Sequence, residues 1–319
     1  MDNLTRYADG QGAILPDVEG VRRLPVENLT RLVAILDRRP RSDPAPIRTV
    51  HHFACTGGTL FSKGVQSQPN TLVLSEVDPL SSLHTKTRQS RFAPTDPILL
   101  ARNVRNPIDT DTAVSMFRAS IGALYERLSR TGRNLVLRDH AHSRFCTETP
   151  WRERPGLREM VEELAPVRSI VTVRHPIDSW LALAWNDWRH FSPFCLEEYA
   201  IRYLAFLDAH SDLPLIRYET FTEDPDRSMR EICDILELRF NPDWKMLICV
   251  MNLSGDSGRR SHKITPRCRR IYTSDLVKEA ADSQGYRSLC ARLGYEAALE
   301  VLPISRTAGP GSDVEHQEY

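Results

Sequence analysis

The sequence has no excess of charge of either sign: 42 Lys and Arg residues stand against 42 Asp and Glu residues along 319 positions. Such a chain carries no global basic field of the kind that draws proteins to nucleic acid or to an anionic membrane, so any anion it binds must be met locally. It also lacks an uninterrupted apolar run near the roughly 20 residues that span a bilayer, which excludes a membrane-spanning helix. Its first residues, MDNLTRYADG, have neither the charged nor the apolar segment of an export signal, and its seven cysteines include no C-x-x-C pair. Both absences point to a reducing cytoplasm. The phosphate-loop pattern G-x-x-x-x-G-K-S/T is missing too. Lys63 precedes Gly64 instead of following it, and no Ser or Thr stands there to hold magnesium, which disfavours an ATP-hydrolysing site.

What the chain does have is a strand, a tight loop and a helix start in residues 47 to 64, IRTVHHFACTGGTLFSKG. Ile47, Val50 and Phe53 suit a strand buried in a sheet. Gly57 and Gly58 allow positive φ and a close approach of backbone to a ligand, while Thr56 and Thr59 bring hydroxyls beside the free N–H groups of the following helix, with Leu60 at the end of the turn. The turn either merely caps that helix or binds an anion on it, and this stretch alone does not choose.

Further along, strands and helices alternate. Strands are expected at Thr71–Val77, Asn134–Arg138, Ser169–Val173 and Leu213–Arg217. Helices are expected at 59 to 67, 110 to 131, 155 to 165, 176 to 189, 195 to 209 and 225 to 236, with Gly132 closing the second and Pro176 opening the fourth. That alternation argues for an α/β fold: one domain with a central parallel sheet, helices on both faces and a phosphate-loop-like first turn. Residues 1 to 46 read as an extension packed on the core, 47 to 300 as the α/β domain, and 301 to 319 as a disordered tail. Residues 81 to 108, rich in Ser, Arg, Thr and Pro, show no sustained period and read as a mobile surface loop that could cover a site.

Arg174 ends an almost wholly apolar strand just before a proline-started helix, where a guanidinium must find an anion. The partner is either a neighbouring carboxylate such as Asp178 or a phosphate held with the N-terminus of the helix. Two anion-seeking turns in one sheet suggest a ligand with two phosphate-like groups. Neither turn brings a metal ligand set.

The loop ACTGGTLFSK, the strand end LVLRDH, the turn VTVRHPIDSW, the segment LIRYETFTEDP and the late GDSGRR resemble, over about residues 47 to 265, the sulfotransferases that use 3′-phosphoadenosine 5′-phosphosulfate. The resemblance implies that Thr56, Gly57, Gly58, Thr59 and Leu60 hold the 5′-phosphosulfate, Arg174 the 3′-phosphate, and Tyr218 the adenine. It further implies that Arg259 and Arg260 belong to a basic lid over the 3′-phosphate. Family members often carry Lys or Arg where this chain has Cys55, so a cation is needed from elsewhere, and Arg138 and Lys63 are the candidates. The usual Ser eight residues after the arginine is Ala182 here, with Ser179 one turn nearer as its substitute or as an ordinary helix serine. His140 matches the histidine that acts as base in cytosolic relatives, and Glu76 is the rival, since other branches use a carboxylate from that region. No metal is expected. The acceptor would be a hydroxyl, with an amine as second choice, on a small molecule or glycan. Oligomeric state stays open. A magnesium-dependent phosphotransferase and a nucleotide-binding relative without catalysis are the alternatives. The histidines at 51, 52 and 142 and the five tryptophans are given no role.

Overall fold

In the computed structural model of the chain, residues 44–83, 96–253 and 263–299 are described. The N-terminal extension, the C-terminal tail, and the lid arginines Arg259 and Arg260 lie outside them. Among the described residues the sheet has five strands: β1 (Ile47–His52), β2 (Thr71–Val77), β3 (Asn134–Asp139), β4 (Val167–Val173) and β5 (Leu215–Arg217). Their spatial order is β2-β3-β1-β4-β5 and every pairing is parallel. All carboxyl ends therefore meet at one edge. The chain leaves β1 toward β2 on one side and β4 toward β5 on the other, which opens a crevice at that edge.

The alternation of strand side chains explains why helices cover both faces. Val50, Val136 and Ile170 face one way and pack with α1 (Gly58–Gln66) and the helix Pro225–Ile235. Leu135 and Leu137, one residue out of phase, face the other way against the long helix Thr110–Arg130, as do Val171 and Val173 against the helix Leu196–Ala209. Among the described residues no helix is long and apolar enough to cross a membrane.

Three local departures from the sequence expectation have physical causes. Within the stretch read as loop, Pro97–Arg102 is helical, because the Asp96 carboxylate accepts from the Leu99 N–H and Pro97 sets the first turn. Arg102 then fastens this helix by donating to the carbonyls of Pro79, Leu80 and Ser81. The helix after Arg174 stops at Trp185 rather than 189 (Pro176–Trp185), since Asn186 caps it and Asp187 turns to a φ of 54°. The helix expected over 155 to 165 is regular only at Leu157–Val161.

Candidate functional site

The chain from β1 to α1 makes its turn almost without side chains in the way. Gly57 has a φ of 88°, and a Cβ there would lie 2.5 Å from Tyr218 Cδ2. A Cβ on Gly58 would lie 2.4 Å from Cγ of His52. The loop backbone is thus flush against two rings, and glycine is required for that reason as well as for φ. Thr56 draws the turn tight from below: its N–H and its hydroxyl both reach the Phe53 carbonyl, at 3.3 and 2.8 Å. Among the described residues no side chain caps α1. In its first turn the Leu60 N–H donates to the Gly57 carbonyl at 2.9 Å.

A cavity of about 910 Å³ opens above this loop at the carboxyl edge of the sheet. Gly57, Gly58, Thr59, Leu60, Lys63, Glu76, Arg138, His140, Arg174 and Tyr218 all border it, though they come from five separate segments. Of the other sequence candidates, Thr56 is fully buried beneath the loop, and Ser179 is fully buried with its hydroxyl donating to the His175 carbonyl. Neither is among the bordering residues, whereas Ala182 is.

The cations are held in different ways. Arg138, 3% exposed near the end of β3, donates to His52 Nε2 at 2.8 Å, Ser75 Oγ at 2.8 Å and Thr59 Oγ1 at 3.3 Å, and lies 3.8 Å from Glu76. Lys63, also 3% exposed, rises from α1. Arg174 does not pair with Asp178, which is taken by Arg269 at 3.1 Å. Its guanidinium instead lies over the Tyr218 ring, 4.7 Å from the centroid. Cys55 offers no charge at the loop. Burial pushes its thiol up to about 12, so it is neutral at physiological pH.

Two groups with acid–base chemistry face the same space. Burial lowers the pKa of His140, so the ring is neutral and able to accept a proton at pH 7, while Glu76, Asp78 and Asp139 oppose that shift and Arg138 adds to it. Glu76 sits at a bulge of β2 with a φ of 58°, a left-handed conformation that costs a non-glycine residue energy. Cys55 is in the same region at 62°. Two strained residues therefore border one cavity.

Several bordering residues had no signal in the sequence. His52 lies under the loop; His142, Trp188 and His190 form a cluster on the far side, with His142 Nε2 2.8 Å from His190 Nδ1. Trp185, Arg267 and Arg270 complete the rim, Arg270 lying over Trp185 at 5.2 Å. Elsewhere, buried His51, Asp139 and His210 have potential ligand atoms within 4.8 Å of one another. Hydrogen bonds already engage them: His51 Nδ1 donates to Asp139 at 2.8 Å, and His210 Nδ1 to the Phe206 carbonyl at 2.8 Å.

The fold is similar to that of solved sulfotransferases. The sulfotransferase domain of the Synechococcus PCC 7002 olefin synthase aligns over 81% of this chain and 98% of its own, with 16% identity and a TM-score of 0.48. A sulfotransferase from Alicyclobacillus acidocaldarius aligns over 79% and 96%, with 16% identity and a TM-score of 0.41. Mouse sulfotransferase SULT7A1, in complex with PAP, aligns over 82% and 93%, with 12% identity and a TM-score of 0.38. Neither a family model nor a curated protein sequence matches the chain.

Proposed function

We propose that this chain is a sulfotransferase that moves a sulfuryl group from 3′-phosphoadenosine 5′-phosphosulfate to a hydroxyl, or as second choice an amine, of a small molecule or glycan. One observation carries the reading: a single cavity of about 910 Å³ is bordered by the glycine loop, Arg174, Tyr218, the cations Arg138 and Lys63, and the neutral His140. The donor has anionic groups at two ends of a nucleoside, and in this reading the glycine loop after β1 and Arg174 after β4, both at the cavity, each take one. The glycines that lie flush against Tyr218 and His52 leave the backbone accessible to the 5′-phosphosulfate, and the Arg174 guanidinium on the Tyr218 ring suits a phosphate beside a base.

In this reading, His140 takes the proton of the acceptor hydroxyl as that oxygen attacks sulfur in line. Negative charge then grows on the sulfuryl oxygens and on the departing 5′-phosphate. Arg138 and Lys63 meet it, in place of the loop cation that Cys55 cannot supply. Glu76, whose carboxylate lies 3.8 Å from the Arg138 guanidinium, is the rival for the base. The seven free cysteines suit a cytoplasmic setting.

Cys55 favours a second reading, a nucleotide-binding protein without catalysis, because its neutral thiol leaves the loop itself uncharged. Binding and turnover separate the two. Adenosine 3′,5′-bisphosphate is expected to raise the melting temperature more than adenosine 5′-phosphate or magnesium-ATP does. Equal shifts with all three, or a shift with magnesium-ATP alone, overturn the donor assignment.

A further inference from the structure

We propose that His52 is a positioning residue for Arg138, one imidazole that supports the glycine loop and aims the guanidinium of the leaving-group site. The inference rests on the donor reading above, and its test is arranged so that the two fail separately.

The argument begins with hydrogen-bond roles. His52 ends β1, is 6% exposed, and has a partner on each ring nitrogen: the Phe53 carbonyl 3.2 Å from Nδ1 and the Arg138 Nε 2.8 Å from Nε2. A carbonyl only accepts and a guanidinium only donates, so the ring must be the neutral tautomer with hydrogen on Nδ1. Burial and the neighbouring Arg138 charge hold its pKa well below the ordinary histidine value, which keeps that form across neutral pH. The face of the same ring touches Gly58, where a Cβ would lie 2.4 Å from Cγ. Loop and cation are therefore registered to one rigid group.

The consequence is directional. A guanidinium is planar, so fixing the Nε edge on His52 and one terminal nitrogen on Ser75 at 2.8 Å fixes where the other terminal nitrogen points. That nitrogen reaches Thr59 Oγ1 on the loop at 3.3 Å and stays 3.8 Å from Glu76. Without the acceptor at Nε, the side chain is at liberty to turn and pair with the Glu76 carboxylate through two parallel bonds, away from the loop. His52 keeps Arg138 aimed at the place where charge develops.

Two substitutions separate the ring's two duties. His52→Phe keeps a ring beneath Gly58 and removes the acceptor; His52→Gln restores an acceptor. In steady-state assays with the donor, His52→Phe is expected to lower kcat by about 10- to 100-fold. KM for donor and affinity for adenosine 3′,5′-bisphosphate should change by less than about 3-fold, since the contact acts chiefly in the transition state. His52→Gln should recover most of the loss, and adding Arg138→Ala to His52→Phe should cost far less than it costs the native chain. Wild-type kcat in His52→Phe, additive losses, or parallel losses of donor affinity overturn the proposal. A ¹⁵N spectrum of the native protein tests it without any activity: it should show His52 protonated on Nδ1 and a coupling from Arg138 Nε–H to Nε2. The opposite tautomer overturns the proposal. A native chain that shows this spectrum yet neither binds the bisphosphate nor consumes donor contradicts the donor reading and leaves the His52–Arg138 pairing standing.

Discussion

Arg174 and Tyr218, one just past β4 and the other just past β5, are stacked with the guanidinium 4.7 Å from the ring centroid. The stack holds the cation at the cavity while its nearest carboxylate candidate, Asp178, is occupied by Arg269. Arg174→Ala is therefore expected to weaken binding of adenosine 3′,5′-bisphosphate by roughly 30- to 150-fold, about 2–3 kcal/mol, and to leave adenosine 5′-phosphate nearly unchanged. Titration calorimetry of both nucleotides on both proteins measures this; equal losses would show that Arg174 does not contact the 3′-phosphate.

In the proposed mechanism the neutral thiol of Cys55 leaves Arg138 and Lys63 to stabilise the leaving group. Replacing at least one of them by Ala should reduce kcat by roughly 10²-fold or more while donor affinity changes far less, as for a contact made mainly in the transition state. Native turnover in both variants would mean that neither cation serves this role.

His140 and Glu76 border the same cavity, and substitution distinguishes them. His140→Ala and His140→Asn should each lower kcat by about 10²- to 10⁴-fold, because an amide holds position but accepts no proton. Glu76→Gln should cost much less. Since burial lowers the His140 pKa, the acid limb of the native pH–rate profile should fall below the ordinary histidine value near 6.5, with activity rising as pH rises through it. An inactive Glu76→Gln beside an active His140→Ala would assign the base to the carboxylate.

Buried histidines also set an acid limit to stability. Burial holds His142 at about 3 and His210 at about 4, against about 6.5 in the unfolded chain. Below that value the unfolded state binds protons that the folded state refuses, so stability falls as pH drops toward the folded values, by about 1.4 kcal/mol per pH unit for each histidine. Asp139 acts in a lower window. Burial works against its carboxylate, but the hydrogen bond and charge of His51 hold it at about 2, a contribution present above the unfolded value near 3.9 and lost as pH falls through about 2. Urea unfolding should show a lower midpoint at pH 5 than at pH 7 with an unchanged slope. Equal midpoints would mean that these rings titrate alike in both states.

The parts of the site legible in the sequence were those attached to strand ends. The positions of Gly57, Arg138, His140, Arg174 and Tyr218 follow from reading where each strand stops, because a parallel sheet gathers all its carboxyl ends at one edge. His52 carried no such signal: it ends a strand beside another histidine, and only the packing of Gly58 on its ring separates it from His51, which turns the other way to Asp139. Trp188 and His190 were hidden by helical periodicity that continues past Trp185 in the sequence but is ended in space by the Asp187 turn. The helix Pro97–Arg102 was missed because six residues are too few to show a period, although Asp96-Pro97 was a start signal in plain view.

The most direct test of the central claim is transfer itself. Purified protein, 3′-phosphoadenosine 5′-phosphosulfate labelled on the sulfuryl group, and a library of hydroxyl and amine acceptors should give labelled product with one equivalent of adenosine 3′,5′-bisphosphate released per label transferred. No label leaving the donor with any acceptor, together with phosphorylation of an acceptor from magnesium-ATP, would contradict it.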